Sequence, residues 1–373
     1  MRYYIIAGEA SGDLHASNLM KVLKSIDNEP VFQGFGGDLM QNQGLKVVKH
    51  YKDLDFMGFV KVALNLRTVL NNIALCKKDI LAFRPDIVIL VDYPGFNLRI
   101  AKFLKKRNIK NFYYISPQVW AWKQSRVRQI KKNVDRMFVI LPFEKDFYAK
   151  FNYDVDFVGH PLLDALHNES KDWNRKQFIE ENQLDSMKPI VALLPGSRPQ
   201  EIKTMLPVMT SLSSDFPDFQ FVIAGVKTAD KSLYNTYLSS NVKIVFQKTH
   251  SLLRSSDAAL VTSGTASLET ALLKIPEVIC YKGDYISYLI ARKLIKVNYI
   301  GLPNLIMNKP VVKELIQNEF NKEFIAKEFT KLFEPKNRSK ILDDYEKLIV
   351  KLGGPGASER AAQLMYQALE KSS

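Results

Sequence analysis

The sequence predicts an α/β protein with two Rossmann-like domains, and three observations lead to this fold class. Apolar strand-like runs alternate with amphipathic stretches along the chain, a pattern typical of parallel sheets flanked by helices. A length of 373 residues is long for one hydrophobic core and suits two domains. A hydrophobic content of 46% with ordinary Gly and Pro numbers indicates a folded globular chain without a long disordered region.

The strand-like runs fall into two sets of four. The first half contains "YYIIAG", "DIVILVD", "NFYYIS" and "RMFVIL", and the second contains "PIVALLPG", "FQFVIAG", "VKIVFQ" and "AALVTSG". Between the sets, Gly159, Pro161 and a polar, charged run interrupt the apolar periodicity, so we expect a domain boundary near residue 165. We expect the carboxyl edges of the two sheets to face each other across a cleft. Ligands of open α/β sheets bind at these edges, so we expect the ligands in this cleft.

The last segment starts with "GGPG", which breaks a helix, and a well-capped amphipathic helix is predicted to follow. We expect this helix to pack back on the first domain. The predicted organisation is therefore a first domain over residues 1–165, a second domain over residues 166–352, and the C-terminal helix in residues 353–373.

Charge and cysteine content limit the location and the partners. Lys plus Arg exceed Asp plus Glu by 14, an excess that is typical of contact with nucleic acid, anionic lipid or an anionic substrate. Cys76 and Cys280 stand in no metal-ligand spacing and are too few for a disulfide framework, which favours a reducing compartment. The first strand starts within two residues of Met1, and no run of about 18 apolar residues follows, so we expect a cytosolic chain without a membrane span.

The first strand is followed by the loop "GEASGD" and then by a predicted helix. Gly8 and Gly12 do not form the G-x-G-x-x-G dinucleotide fingerprint. Glu9 and Asp13 would repel a pyrophosphate, so a hydroxyl-rich ligand such as a sugar suits this loop better, with Ser11 and Gly12 as backbone donors. The alternative is that the glycines only make a turn and that Asp13 only caps the helix.

Two loops in the second half have the composition of an anion site. Gly196, Ser197 and Arg198 follow one strand directly, so backbone N–H groups, a hydroxyl and a guanidinium are predicted to meet a diphosphate. The second loop follows another strand and opens a helix; it consists of Ser263, Gly264, Thr265, Ala266 and Ser267.

Each of these loops has a simpler explanation as well. Arg198 could be an exposed residue of a surface turn. Glu269, early in the helix of the second loop, could accept hydrogen bonds from ribose or could only complement the helix dipole. Two such loops in one half point to a nucleotide-diphosphate site in the second domain.

In the first half, Asp92 ends a buried strand, where a carboxylate is costly unless it has a function or a partner. An ion pair with a nearby Arg is the alternative. Gln118, Trp120 and Trp122 follow another strand, and indole faces commonly bind sugar rings, although Trp residues are common in cores too.

Eight motifs occur in the order and spacing of the lipid-A-disaccharide synthases, which are bacterial glycosyltransferases, and the resemblance covers essentially the whole chain. The motifs are "GEASGD", "GFGG", "VDYPGFN", "SPQVWAW", "GHPLLD", "LLPGSR", "TSGTASLE" and "GLPNLI". The resemblance implies a two-domain glycosyltransferase fold of the B type in a Gram-negative lipid A pathway, with residues 1–165 on the acceptor side and residues 166–352 binding the UDP-sugar donor. It also implies the donor UDP-2,3-diacylglucosamine, the acceptor 2,3-diacylglucosamine 1-phosphate, and the products UDP and a β-1,6-linked disaccharide phosphate.

The resemblance also implies roles for individual residues. Ser197, Arg198 and the loop from Ser263 to Ala266 are expected to meet the UDP phosphates, Glu269 the ribose, and Asn304 in "GLPNLI" the vicinity of the nucleotide. The family needs no metal and no cofactor, and the sequence contains no Asp-x-Asp pair placed to hold a nucleotide-bound cation. Asp92 is the candidate general base, because inversion in a single displacement requires only one carboxylate.

Substrates with acyl chains must be met at a bilayer, and the segment near residues 56–83 is the candidate contact with an anionic membrane surface. Its apolar residues, Met57 to Ile73, are too dense for one buried stripe and are mixed with Lys61, Arg67, Lys77 and Lys78. The alternative is that they pack on the first-domain sheet. The expected location is the cytoplasmic face of the inner membrane, with peripheral association.

Two other function classes remain at this point. Another UDP-sugar transferase or a UDP-GlcNAc epimerase of the same fold would share the donor site. A nucleic-acid-binding protein would fit the positive charge, but the charge is scattered along the sequence and no DNA- or RNA-binding module is recognisable, so no nucleic-acid partner is expected. A homodimer is left open.

Overall fold

The computed structural model describes residues 1–54, 66–122, 124–169, 173–226, 229–284, 288 and 297–370. The chain divides into two compact units by its internal packing. The first unit consists of Met1–Asp164 with Leu352–Ser373, and the second of Ala165–Lys351. The boundary at residue 165 falls inside a helix, since α8 spans Leu162–Glu169.

The first unit is built on a parallel sheet of seven strands in the order β3-β2-β1-β4-β5-β6-β7. Its strands are β1 Arg2–Ala7, β2 Val31–Gly36, β3 Lys46–His50, β4 Ile87–Val91, β5 Asn111–Tyr114, β6 Arg136–Val139 and β7 Asp156–Phe157. Its described helices are α1 Ala10–Ile26, α2 Asp38–Asn42, α3 Leu66–Phe83, α4 Pro94–Lys106, α5 Val119–Trp122, α6 Val127–Asn133, α7 Pro142–Ala149 and the first residues of α8. The C-terminal helix α17, Ala357–Glu370, also belongs to this unit.

The second unit repeats the arrangement with a parallel sheet of six strands in the order β10-β9-β8-β11-β12-β13. Its strands are β8 Ile190–Leu194, β9 Gln220–Gly225, β10 Val242–Phe246, β11 Ala258–Thr262, β12 Glu277–Tyr281 and β13 Glu314–Ile316. The described helices after α8 are α9 Arg175–Glu181, α10 Pro199–Thr210, α11 Ser232–Asn235, α12 Thr249–Ser255, α13 Thr265–Leu272, α14 Leu302–Met307, α15 Lys322–Lys331 and α16 Pro335–Lys351.

The predicted α/β fold with two parallel sheets is confirmed, and all eight predicted strands are present. Five further strands, β2, β3, β7, β12 and β13, were not predicted. In β2 the reason is visible, because glycines interrupt its apolar pattern. Gly34 has φ +152°, and a Cβ there would lie 2.0 Å from the Ile5 carbonyl oxygen, so the close pairing of β2 with β1 requires glycine.

Helices cover both faces of the first sheet. One face packs α3, α4, α6 and α7 against alternate strand residues such as Tyr4, Ile6 and Tyr113. The opposite face packs α1 and α17, whose Ala361, Ala362 and Met365 are fully buried. A sheet covered on both sides explains why its strands read as continuous apolar runs instead of alternating ones.

The strand order reverses direction at one point in each sheet, between β1 and β4 in the first unit and between β8 and β11 in the second. Adjacent loops separate at such a point, and open α/β sheets bind their ligands there. The four loops at these two points carry four of the sequence motifs: "GEASGD", "VDYPGFN", "LLPGSR" and "TSGTASLE".

Candidate functional site

The second unit holds a cavity of about 420 Å³ at its strand-order reversal. The loop after β8 and the loop after β11 both line it. Two residues predicted for the nucleotide site, Ser267 and Asn304, do not line it, and Ser267 is fully buried with its hydroxyl donating to Gly264 O. The other predicted residues are among its walls: Gly196, Ser197, Arg198, Ser263, Gly264, Thr265, Ala266 and Glu269. The structure therefore brings together two motifs that lie about 65 residues apart in the sequence.

Gly264 starts one wall of this cavity at the N-terminus of α13. Its backbone has a φ of +152°, which residues other than glycine rarely adopt. The first N–H groups of an α-helix have no partner within the helix, so those at Thr265 and Ala266 are available to an anion, and the helix dipole adds positive potential. This matches the anion site that the small residues predict.

Arg198 forms the facing wall, and its side chain is 67% exposed. Its Nη1 donates to Glu201 Oε1 at 2.7 Å, while Glu201 Oε2 accepts from the backbone N–H groups of Ser197 and Arg198 at 3.0 and 3.2 Å. The prediction that these N–H groups bind a diphosphate therefore needs a correction, because Glu201 already occupies them. The exposed ion pair is weak, so the guanidinium can exchange Glu201 for phosphate.

The role of Glu201 was missed although its signal is in the sequence. It stands three residues after Arg198, the position from which a Glu side chain reaches back to the helix N-terminus. Gly196 fits the same arrangement, since a Cβ there would lie 2.5 Å from Glu201 Oε2.

Glu269 lines the cavity one turn into α13. His250, at the start of α12, places Nε2 at 3.4 Å from Glu269 Oε2, and both side chains are largely buried, at 24% and 21% exposed. The pair fixes a carboxylate at the cavity wall, which is what a ribose-binding role requires. His250 was missed, and no local pattern indicates it, because the two residues meet only in the folded unit.

Asn304 does not line this cavity, so its position near the nucleotide stays a prediction. The side chain is 1% exposed. Its amide nitrogen donates to Val312 O and Glu314 Oε1, both at 2.9 Å, and its oxygen accepts from the N–H groups of Val311 and Val312 at 2.8 and 3.0 Å. Every hydrogen-bonding position of the amide is therefore occupied by the approach to β13, so Asn304 supports the fold here.

Asp92 lies at the strand-order reversal of the first unit, directly after β4. Both Asp92 and the next residue, Tyr93, have left-handed backbones, with φ of +44° and +48°. Burial, and to a lesser degree the negative charge of Glu9, raises the pKa of the Asp92 carboxyl to about 6. No ion pair with Lys or Arg forms at Asp92 among the residues that the structure describes, so the alternative explanation for this partly buried acid finds no support there.

The "GEASGD" loop lies beside Asp92, after β1. Glu9 is the N-cap of α1, and the first N–H groups of that helix, which include Ser11 and Gly12, have no intrahelical partner. Gly8 is required, because a Cβ there would lie 2.3 Å from the Tyr93 ring. The two loops are therefore packed directly on one another.

Asp13 has a role that differs from the predicted one. Its carboxylate is 2% exposed and accepts from the N–H groups of Gly37, Leu39 and Met40 at 2.8 to 3.1 Å. It thus caps the N-terminus of α2, and any contact with a sugar would have to break these bonds. The sequence offers capping as the alternative role of Asp13, but for its own helix α1. In the structure Asp13 caps α2, which begins 25 residues later.

Gln118 and Trp120 follow β5 at the same edge of the first sheet. Gln118 is exposed and therefore accessible to a ligand. Trp120 is 8% exposed and packs edge-on against Phe143 with ring centroids 5.0 Å apart, so the core explanation is correct for it. The side chain of Trp122 lies outside the described residues.

A second buried acid, Glu144, supports this loop and was missed. It accepts a hydrogen bond from Ser116 and bonds from the N–H groups of Ile140 and Leu141, at 3.2 and 2.9 Å. Burial raises the pKa of Glu144 to about 7. The residue ties the turn after β6 to the loop after β5, which carries Gln118.

The described residues limit two other site classes. Within them, no group of three or more His, Cys, Asp or Glu side chains is arranged to hold a metal ion. Of the helices described, none combines the length and the apolar character needed to cross a bilayer.

Comparison with known proteins gives one consistent family. A family model of lipid-A-disaccharide synthetase matches residues 3–368. The lipid-A-disaccharide synthase of Syntrophus aciditrophicus is 41% identical over 377 residues, covering 99% of this chain and 98% of that protein. The enzyme of the same name from Trichlorobacter lovleyi is 37% identical over 379 residues, covering 100% and 98%.

Solved structures resemble the fold at much lower identity. UDP-GlcNAc 2-epimerase from Neisseria meningitidis, bound to UDP-GlcNAc, has a TM-score of 0.71 at 15% identity and covers 98% of this chain and 100% of its own. A glycosyltransferase of kitacinnamycin has a TM-score of 0.68 at 12% identity, with 99% of both chains covered. At these identities the likeness is one of fold, which transferases and epimerases share.

Proposed function

The chain belongs to the lipid-A-disaccharide synthase family of glycosyltransferases, and from this premise we propose its substrates and mechanism. It transfers 2,3-diacylglucosamine from UDP-2,3-diacylglucosamine to 2,3-diacylglucosamine 1-phosphate, with inversion, and forms the β-1,6 disaccharide 1-phosphate and UDP. The observation that carries the donor side is the cavity of the second unit, with an open helix N-terminus and an exposed arginine on its walls.

In this proposal the diphosphate of UDP lies at the N-terminus of α13. The N–H groups at Thr265 and Ala266 donate to phosphate oxygens, and Arg198 leaves Glu201 to bind the same group. Glu269, held by His250, accepts hydrogen bonds from the ribose hydroxyls. Each interaction uses a group that faces the cavity.

Asp92 acts as the general base on the acceptor. As the 6-hydroxyl oxygen attacks the anomeric carbon, its proton passes to the Asp92 carboxylate, and the bond between that carbon and the UDP oxygen breaks with its electron pair on UDP. A pKa of about 6 suits this task, because the group is ionised at neutral pH and still basic enough to take a proton. Arg198 and the α13 dipole stabilise the charge that develops on UDP.

The acceptor side includes the loops that adjoin Asp92. Glu9 and the N–H groups at Ser11 and Gly12 bind sugar hydroxyls, and Gln118 offers an exposed amide at the same sheet edge. Asp13 and Asn304 take structural positions in this proposal and are not assigned substrate contacts.

Contact with an anionic membrane surface completes the proposal, with the cytoplasmic face of the inner membrane as the location. Much of the predicted contact segment, residues 55–65, lies outside the described residues. Within α3, Val69 and Ile73 pack on the core, which agrees with the alternative for them. Leu70, Leu75 and Leu81, in contrast, are 53%, 41% and 41% exposed.

Basic residues that are scattered in the sequence gather on the same side of the first unit. Lys102, Lys105 and Lys106 of α4 and Arg128 and Lys132 of α6 line one groove on the helical layer that includes α3. Each basic residue near anionic lipid contributes about 1 kcal/mol of attraction. Exposed leucines and a basic groove on the same helical layer fit a layer that lies on a membrane without crossing it.

The direct test incubates the protein with the two lipid precursors and follows UDP release together with the disaccharide by mass spectrometry. UDP release that depends on the acceptor, with the disaccharide as product, supports the proposal. Donor consumed without the acceptor, or UDP-GlcNAc converted to its 2-epimer, would contradict it and favour the epimerase alternative. Flotation with anionic vesicles tests the membrane contact separately, with Leu70, Leu75 and Leu81 replaced by Gln.

A further inference from the structure

The backbone at Asp92 is held in a conformation that its residue types do not favour. Two consecutive non-glycine residues, Asp92 and Tyr93, have φ of +44° and +48°. A non-glycine residue in the left-handed region is strained, and this conformation persists only where the surroundings hold it. The surroundings that hold Asp92 are therefore part of whatever its carboxylate does.

Two buried side chains donate hydrogen bonds to the Asp92 carbonyl oxygen. Tyr113, in the middle of β5, donates its hydroxyl to this oxygen at 2.6 Å. Asn97, in the first turn of α4, donates its amide nitrogen to the same oxygen at 2.8 Å. Both donor residues are 0% exposed, while Asp92 itself is only partly buried.

Asn97 also reaches the neighbouring strand ends. The same amide nitrogen lies 3.2 Å from Val91 O and 3.4 Å from Ile6 O, so one side chain spans the ends of β4 and β1. Ile6 leads directly into the loop of Gly8 and Glu9, and the Tyr93 ring fills the space that a Cβ at Gly8 would need. The turn at Asp92 and the loop of Glu9 are thus fixed relative to each other.

We infer that Asn97 and Tyr113 are positioning residues for the general base: they hold the Asp92 backbone in its left-handed turn and so keep the carboxyl group beside Glu9. This inference deepens the proposed function and rests on Asp92 as its base. The charged and titratable groups around this point are Glu9 from the β1–α1 loop, Tyr113 from β5, and Arg126 and Tyr148, which act on Tyr113.

The phenol at position 113 has a matched control in the same strand. Tyr114 is equally buried at 0% exposed and lies on the opposite face of the sheet, but its hydroxyl makes no bond to the Asp92 carbonyl. Tyr113→Phe and Tyr114→Phe therefore each remove one hydroxyl from a fully buried ring, but among the described residues the Tyr114 hydroxyl has no hydrogen-bond partner. Only the first change releases the Asp92 turn.

The experiment compares these two variants with the unaltered protein by two readouts. In the transferase assay, Tyr113→Phe is expected to lower kcat at least about tenfold with little change in KM for the donor, because binding in the second unit is untouched. In a carboxyl ¹³C NMR titration without substrate, the pKa of Asp92 is expected to fall from about 6 toward the usual value near 4, because the released carboxyl gains solvent. Tyr114→Phe should leave both unchanged.

Two results would overturn the inference. One is an Asp92 titration and a kcat that stay unchanged in Tyr113→Phe while the melting temperature falls, since that describes a purely structural hydroxyl. The other is an equal loss in both variants. The NMR titration needs no substrate, so it decides the inference even if the unaltered protein fails to form the disaccharide, a failure that would count against the proposed function alone. Asn97→Ser should reproduce the titration shift of Tyr113→Phe.

Discussion

The two strand-order reversals have the same topology and opposite chemistry. In the first unit, the loops at this point carry two partly buried acids, Glu9 and Asp92, and two side chains hydrogen-bond to the Asp92 carbonyl oxygen. In the second unit, the edge carries small residues, unpaired helix N–H groups and an exposed arginine. A base needs burial to raise its pKa, whereas an anion site needs open donors. The comparison shows that one fold carries loops of different chemistry at equivalent points, and the proposed base and the proposed anion site each rest on one of them.

The largest effect should come from removing the Asp92 carboxylate at the strand-order reversal of the first unit, here called the first edge; the reversal of the second unit is the second edge. Asp92→Asn keeps the volume but cannot accept a proton, so turnover should fall roughly 100- to 10,000-fold while UDP binding is unchanged. UDP release and a UDP titration measure the two quantities. Asp53→Asn, at a position 58% exposed, is the control for loss of one charge. Near-normal turnover of Asp92→Asn would remove the functional difference between the edges.

A smaller effect is expected from removing the cation at the second edge. Arg198→Ala deletes a charge-assisted contact of about 1.5–3 kcal/mol, so UDP should bind about 10- to 150-fold more weakly by calorimetry. Lys203→Ala, an exposed cation on the same helix, is the matched control. Equal affinities for the two variants would mean that Arg198 pairs with Glu201 only.

The pH dependence sharpens the comparison further. Because the pKa of Asp92 is raised to about 6, the base becomes protonated below that pH, and kcat/KM should fall about tenfold per pH unit there. Glu9→Gln should move this midpoint to lower pH, since the negative charge of Glu9 contributes to the raised pKa. If the midpoint of the kcat/KM profile of the unaltered protein lies near pH 4, the raised pKa of Asp92 is contradicted.

The smallest expected effect is that of salt, and it should act on one edge only. Arg198 is exposed, so raising NaCl from about 0.05 M to about 0.5 M should weaken UDP binding several-fold by screening. The pH midpoint of Asp92, set mainly by burial, should move by less than about 0.3 pH unit over the same range. A large salt shift of that midpoint would show that the first edge is open to solvent too.

The sequence predicted those features that depend on local pattern. Apolar runs located eight strands, and small residues after β8 and β11 located the cavity walls. Asp92 was found because a carboxylate at the end of an apolar run is conspicuous.

Features that depend on distant partners were not predicted. Asp13 caps a helix that starts 25 residues later, and Tyr113 reaches a carbonyl 21 residues earlier. The residue type of Tyr93 does not predict its left-handed backbone. That conformation depends on the contact of the Tyr93 ring with Gly8 and on the hydrogen bonds to Asp92 O, which form only in the folded unit. Basic residues that look scattered along the chain share one face because α4 and α6 are neighbours in space.

The division of the first unit between two stretches of chain has a consequence for synthesis on the ribosome. The face of α1 formed by Ala16, Leu19, Met20 and Leu23 is covered by α17, whose residues are translated more than 300 positions later. The second unit is continuous and has all its residues before α17 emerges. Domains usually complete their folding from the N-terminus onward, but here the order of completion is reversed. The nascent chain must carry an uncovered apolar helix face until its last segment leaves the ribosome.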